Sequence, residues 1–146
     1  MLWVTRQKPH VDRCTSAWLI KRFIDEEAVF EFVGQNLEIP EGAIGFTLPK
    51  CEIKPIKGAK TTFDVLAEKY QVKDSIVNKI RNIIRDYELN EENPDAMQLK
   101  ETVGVCSIVR GLEKTSLTDC ETIAKAFTVM DALYATLKEN SQHRQF

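Results

Sequence analysis

The chain has 146 residues, of which 43% are hydrophobic and 29% charged, and its formal net charge is −2. This length and apolar content predict one domain, residues 1–146, and the mildly acidic balance excludes a broad basic surface for nucleic acid. No apolar run is long enough to span a membrane, and the N-terminus lacks a secretory signal, so we expect a cytoplasmic protein without membrane contacts.

Charge is distributed unevenly along the chain. The first 24 residues contain five basic side chains and one acid, Asp12, so this segment carries +4 and the remainder −6. The basic residues are Arg6, Lys8, Arg13, Lys21 and Arg22. Such a local positive field can attract a small anion without making the whole protein basic.

The N-terminal half has strand patterns separated by one helical segment. Asp12 is predicted to be the N-cap of a helix that ends near Ile24, because its carboxylate can accept free N–H groups of a first turn. A lysine-rich loop is predicted over 49–60. The predicted strands are 2–5, 29–33 and a possible third, 43–48.

The C-terminal half is predicted to be helical. Thr61-x-x-Asp64 begins a short helix, Asp74 caps the next, and Thr118-x-x-Glu121 has the form of a capping box. The segment 97–112 is apolar on most sides and is therefore expected near the centre of the fold. The last helix is expected to end near 139, with a flexible tail over 140–146. The fold class is thus α+β, with a small sheet of about three strands and five helices.

Asp131 is the most informative acid. On the last helix it falls at the edge of the apolar stripe, where a carboxylate is costly unless it is paired. We expect an ion pair with Arg6, Arg13 or Arg22, and the alternative is a solvated aspartate.

Cysteine and histidine spacing predicts no metal site and no bound cofactor. None of the four cysteines forms a CxxC pair, and only two histidines are present, His10 and His143. Cys106 has apolar neighbours and is interpreted as an inert buried thiol. Cys14 lies in the basic segment, where cations can lower a thiol pKa, so a reactive thiol is the alternative to a structural one.

Three segments resemble one known family. The opening segment has the form Trp-Val-Thr-Arg-x-Lys-Pro-x-Val-Asp-Arg over 3–13, followed by Trp-Leu-Ile-x-Arg-Phe-Ile-Asp over 18–25. The middle segment is 62–66 with Lys69 and Tyr70, and the closing one is 131–135. Together they resemble the ChrB C-terminal domain family, the chromate-resistance or "chromate resistance exported protein" domain.

The resemblance implies a role in the response to chromate. Longer relatives join this domain to an N-terminal DNA-binding region, so we expect a stand-alone sensory module. Many family members carry histidines where this chain has Ile56 and Arg85, while acids near the second position persist as Glu88 and Glu101. Any metal-binding or acid–base role of those histidines is therefore expected to be lost here.

The leading hypothesis is a module that binds a small oxyanion, chromate or sulfate-like. Arginine donates bidentate hydrogen bonds to such anions, and the N-terminus of the first helix adds N–H groups. The expected ligand-binding residues are Arg6, Lys8, Asp12, Arg13, Trp18, Arg22 and Asp131.

Two alternatives remain open. One is an enzyme acting on an anionic substrate, with Asp131 or Asp12 as the acid–base group and Cys14 as a nucleophile. The other is a protein-interaction module whose basic helix binds an acidic partner surface.

Overall fold

The sheet has three parallel strands and occupies the N-terminal half. A computed structural model describes residues 1–34 and 38–143. Strand β1 is Leu2–Arg6, β2 is Val29–Val33 and β3 is Ile44–Gly45, in the spatial order β2-β1-β3. Val4 lies opposite Glu31 on one side and Gly45 on the other, so β1 is the central strand.

The predicted third strand is confirmed but is shorter than 43–48. Thr47 has a φ of 53°, in the left-handed region, so the chain leaves the extended conformation there. The Thr47 hydroxyl donates to the Thr62 hydroxyl at 2.9 Å, which directs the following loop towards the next helix. Backbone conformation therefore ends the strand early.

The first helix crosses between β1 and β2. Helix α1 is Val11–Leu19, and it continues as one π-helical turn, Ile20–Ile24, so it ends where the sequence predicted. The Asp25 N–H donates to the Ile20 carbonyl at 2.7 Å and closes that wide turn.

The C-terminal half is helical, and five α-helices are present in the described ranges, as predicted. Both predicted caps after the loop are confirmed, since Thr61 and Asp64 form a capping box and Asp74 accepts two N–H groups. The last helix continues beyond 139 to His143, and the rest of the predicted tail, 144–146, lies outside the described residues. The helices are α2 (Thr62–Lys69), α3 (Ser75–Leu89), α4 (Thr102–Thr115) and α5 (Asp119–His143).

One hydrophobic core joins the sheet to the helices. Its largest fully buried side chains include Trp3, Trp18, Phe46, Phe63 and Met130, which come from β1, α1, the segment after β3, α2 and α5. The indole N–H of Trp3 donates to Asp25 at 2.8 Å, so the polar edge of this buried ring is satisfied. Helix α1 is central, because it contacts all four of the other α-helices.

The expectation that the segment 97–112 lies at the centre is wrong. Helix α4 begins only at Thr102 and buries Thr102, Cys106 and Val109, while Val103 and Ile108 are 51% and 58% exposed. Its buried face packs on α1, α3 and α5, and its other side faces outward. Apolar residues on several sides of α4 therefore did not show that the helix is buried on all sides.

The expectation that Asp12 caps its own helix is also wrong. His10 is the N-cap residue of α1, and no side chain caps it in the described part of the chain. The Asp12 carboxylate instead accepts the backbone N–H groups of Thr62 at 2.9 Å and Phe63 at 3.3 Å. These N–H groups lie in the first turn of α2, where no intrahelical acceptor exists. Asp12 therefore joins α1 to α2.

Replacing Asp12 with alanine is expected to destabilise the fold by about 1–3 kcal/mol, because two N–H groups of α2 lose their acceptor. Asp12→Asn is expected to cost less, since an amide oxygen still accepts. Urea unfolding measures both, with the exposed Glu26→Ala as the control. An unchanged midpoint for Asp12→Ala would contradict this role.

Candidate functional site

The topology creates a crevice at the carboxyl end of β1. The strand order reverses beside a central parallel strand, and ligands of open parallel sheets bind at such a point. After Arg6 the chain turns through Lys8, whose φ is 57°, and enters α1 at Val11. The N-terminus of α1 and Thr47, just beyond β3, line one cavity at this edge.

Two adjoining cavities occupy this edge of the sheet, and we name them together the Asp12–Glu88 cleft. One measures about 200 Å³ and the other about 170 Å³, and both are lined by Asp12, Pro55 and Glu88. The first is also lined by His10, Val11, Arg13, Thr47, Tyr87 and Glu91. The second adds two cations, Lys57 and Lys60. The cleft therefore has both carboxyl and basic groups in its wall.

Arg13 is a partly buried guanidinium with unused donors. Within 1–34 and 38–143 it forms no ion pair, and its buried Nε atom has no hydrogen-bond partner. Burial and the charge of Arg6 lower the pKa of Arg13, yet a guanidinium stays protonated in proteins. Arg13 therefore places a positive charge in the cleft wall, and its buried Nε–H has no acceptor among the described residues.

Two arginines of α3, Arg81 and Arg85, are paired with carboxylates. Arg81 pairs with the fully buried Asp64 and, at 2.7 Å, with Glu68. Arg85 lies 3.6 Å from the same Asp64 and donates to the Ala59 carbonyl at 3.2 Å. Arg85 is thus part of a structural ion-pair network.

Sequence reasoning missed Arg110 on α4. Its Nη1 atom is buried and, among the described residues, has no hydrogen-bond partner. Partial burial, and then the charges of Arg110 and Arg13, lower the pKa of His10, so both arginines lie near that imidazole. The sequence contained one indication of its importance, because this cation directly follows Val109, which is buried. Arg110 is far from Arg13 along the chain, so the sequence did not show that the two arginines lie near the same imidazole.

The sequence did not predict the place of Glu88 in the cleft. Burial, and then the negative charges of Asp12 and Glu91, raise its pKa to about 8. Sequence analysis named Glu88 only as an acid implied by the family resemblance. The other such acid, Glu101, precedes α4 and does not line the cleft, and Ile56 is 53% exposed.

The seven expected ligand-binding residues fall into separate groups. Asp12 and Arg13 line the cleft, and the charge of Arg6 reaches Arg13 from the end of β1. Lys8 is exposed in the turn before α1, and its backbone N–H donates to Asp119 at 3.2 Å. The remaining three, Trp18, Arg22 and Asp131, do not line the cleft.

Trp18, Arg22 and Asp131 form a cluster that joins the first helical segment to α5. Asp131 accepts the Trp18 indole N–H at 2.8 Å and two N–H groups of Arg22, at 3.0 and 2.9 Å. The Arg22 guanidinium also lies 5.4 Å from the centre of the Phe127 ring. Asp131 thus has an arginine partner, and of the three candidates it is Arg22. That pairing lowers the pKa of Asp131, which makes its carboxylate a weaker base.

Cys14 does not have the environment of a nucleophile. It is fully buried, and its thiol lies 3.5 Å from the Pro9 carbonyl oxygen. The alternative of a thiol activated by nearby cations is not supported, because burial outweighs Arg13 and raises the pKa of Cys14 to about 12. Cys106 is buried, as predicted, and its pKa is also raised to about 12.

The part of the chain that the structure describes lacks both a metal-binding cluster and a membrane-spanning helix. It contains no group of three or more histidine, cysteine or acidic residues placed to hold a metal ion. None of its helices combines the length and apolar character required to cross a membrane.

These observations define a small α+β domain with a parallel sheet and a polar cleft at the carboxyl end of its central strand. A family model described as "ChrB, C-terminal domain" matches residues 3–137. The chain therefore belongs to the ChrB C-terminal domain family. It is similar to "Protein ChrB" of Cupriavidus metallidurans, with 27% identity over 133 residues. That match covers 90% of this chain and only 39% of the relative. No solved structure matches significantly.

Native-state labelling with a thiol reagent at neutral pH is expected to modify Cys120 rapidly and the other three cysteines slowly, because only Cys120 is exposed. Counting labelled sites by mass spectrometry checks this, with urea-unfolded protein as the control that exposes all four. Rapid modification of Cys14 in the folded protein would restore the covalent hypothesis.

Replacing Asp131 with alanine is expected to cost about 1–3 kcal/mol, chiefly because the buried Trp18 N–H loses its acceptor. Asp131→Asn keeps an acceptor and is expected to cost less than half as much, since exposed ion pairs contribute little. Chemical denaturation measures the difference. Equal losses in the two variants would instead assign the effect to the Arg22 charge pair.

Proposed function

We propose that this chain is a sensory module of chromate resistance that binds a small tetrahedral oxyanion in the Asp12–Glu88 cleft. The observation that supports this most directly is the state of Arg13, a partly buried guanidinium with no ion-pair partner among the described residues. A desolvated guanidinium without a carboxylate binds an anion strongly, because it offers charge-assisted, geometrically matched donors.

The position of the cleft supports the same ligand class. The N-cap residue of α1, His10, provides no side-chain acceptor for the first turn in the described structure, and the helix dipole favours negative charge there. The cavities of about 200 and 170 Å³ are smaller than the roughly 300–1,000 Å³ typical of sites for drug-sized molecules. A small ion therefore suits this cleft better than a large organic substrate.

The proposal divides the expected ligand-binding residues by role. Arg13 contacts the anion, and Arg6 and Lys8 attract it to the crevice. Asp12 fixes the start of α1 against α2 through its two N–H acceptors. Trp18, Arg22 and Asp131 fix the following helical segment against α5. An anion bound to Arg13 would thereby contact α1, a helix that is fixed to its neighbours at both ends. A protein partner that responds to anion binding stays a prediction.

Thermal unfolding in the presence of sulfate, chromate or phosphate tests the site. A ligand that binds only the folded state at a hundredfold excess over its Kd adds about 2.7 kcal/mol of stability, which is readily measured. We expect stabilisation by at least one of these oxyanions beyond that produced by chloride at equal ionic strength. An unchanged midpoint with all of them would contradict the proposal.

Matched variants distinguish anion binding at a specific site from a general effect of positive charge. Arg13→Gln is expected to lose the oxyanion-dependent shift. Lys138→Gln removes one exposed positive charge from α5 and is expected to retain it, whereas Arg22→Gln is expected to lower basal stability and still respond. An equal loss in Lys138→Gln would show that the anion effect is non-specific screening.

A further inference from the structure

Glu88 occupies the centre of the Asp12–Glu88 cleft. It comes from α3, opposite the N-terminus of α1, and it lines both cavities. Within the described ranges its carboxyl group forms no ion pair, although Arg13 lines the same cavity wall. An anion bound to Arg13 in this cleft would therefore meet the Glu88 carboxyl group.

A carboxylic acid has opposite properties in its two protonation states. When neutral it donates one O–H hydrogen bond, and when ionised it only accepts. A fully deprotonated oxyanion, such as sulfate, also only accepts. The two groups can therefore share a small cleft only while the carboxyl group keeps its proton.

We propose that Glu88 contacts the bound oxyanion as a neutral carboxylic acid and donates a hydrogen bond to it, so that oxyanion affinity decreases when Glu88 ionises. This inference rests on the oxyanion site proposed above. Glu88 would then determine specificity, because a neutral carboxylic acid favours fully deprotonated anions. Its ionisation would also make their binding depend on pH.

The electrostatic surroundings of Glu88 support the neutral form. Asp12 and Glu91 are acids beside it, and together with burial they outweigh the opposing effects of Arg13 and the Asp12 backbone N–H, so its pKa lies near 8. Glu88 is therefore mostly protonated at neutral pH. The titratable or charged groups around it come from α1 and its N-cap, α3 and the segment just after it, α4, and the loop 55–60. They are His10, Asp12, Arg13, Tyr87, Glu91, Cys106, Arg110, Lys57 and Lys60.

Sulfate is the appropriate probe, because its charge is constant between pH 6.5 and 9.5. Calorimetric titration at both pH values, with ionic strength held by chloride, measures its Kd. If only the neutral form of Glu88 binds, a pKa of about 8 predicts a Kd roughly thirtyfold higher at pH 9.5. Glu88→Gln keeps a hydrogen-bond donor that does not ionise, so its Kd is expected to change less than threefold.

Glu91→Gln is the matched control, since it removes a neighbouring acid and leaves Glu88 in place. It is expected to retain the pH dependence, with the decrease in affinity moved to lower pH, because loss of the Glu91 charge lowers the pKa of Glu88. Equal pH dependence in the wild type and Glu88→Gln would overturn the inference, as would wild-type binding that does not change with pH. Absence of sulfate binding at either pH would overturn this inference, whereas the proposed oxyanion site is contradicted only if chromate and phosphate also fail to bind.

A second measurement tests the Glu88 proton without any ligand. Because the pKa of folded Glu88 is raised above its unfolded value near 4.5, the wild type is expected to lose stability relative to Glu88→Gln as the pH rises towards 8. The difference should level off above pH 8. A difference that stays constant between pH 5 and 9 would show that Glu88 titrates normally and would overturn the inference.

Discussion

The architecture depends on one carboxylate, Asp12. It lies in the first turn of α1 and accepts two N–H groups from the first turn of α2, fifty residues further along the chain. Helix α1 crosses between the two paired strands, so this contact also fixes the sheet relative to the first helix of the C-terminal half. The same carboxylate lies in the cleft wall, where its charge helps to keep Glu88 protonated.

Asp12 and Asp131 act at opposite ends of the first helical segment. Asp12 holds the start of α1 against α2, while Asp131 holds the segment around Trp18 and Arg22 against α5. The basic residues of the N-terminal segment therefore do not form one surface. Arg22 is neutralised by a partner, whereas Arg13 is left at the cleft without one in the described structure. This contrast, rather than the number of cations, identifies the candidate site.

A second buried carboxylate, Asp64, supports the start of α2. Arg81 and Arg85 surround it, and it accepts the backbone N–H of Thr61 at 2.9 Å. This ion-pair network engages both arginines. The proposed function relies on guanidinium and carboxyl groups, and the proton that matters belongs to Glu88.

The sequence by itself determined the local elements and the family. Alternation and helical periodicity predicted the strands and the helices, because hydrophobic spacing and capping groups act within a few residues. Asp64, Asp74 and the closing helix around Asp131 were all predictable in this way. An ion pair of Asp131 was one of the two interpretations that the sequence left open, since the desolvation of a carboxylate can be inferred from its place on a helix.

Only the tertiary structure decided which groups meet. It directed Asp12 to α2 rather than to its own helix, placed α4 at the periphery, and buried Cys14 beyond the influence of its neighbouring cations. It also brought Glu88 and Arg110 to the start of α1, which no spacing along the chain indicated. Burial and the charges of sequence-distant residues set the protonation of these groups, and both quantities exist only once the helices have packed.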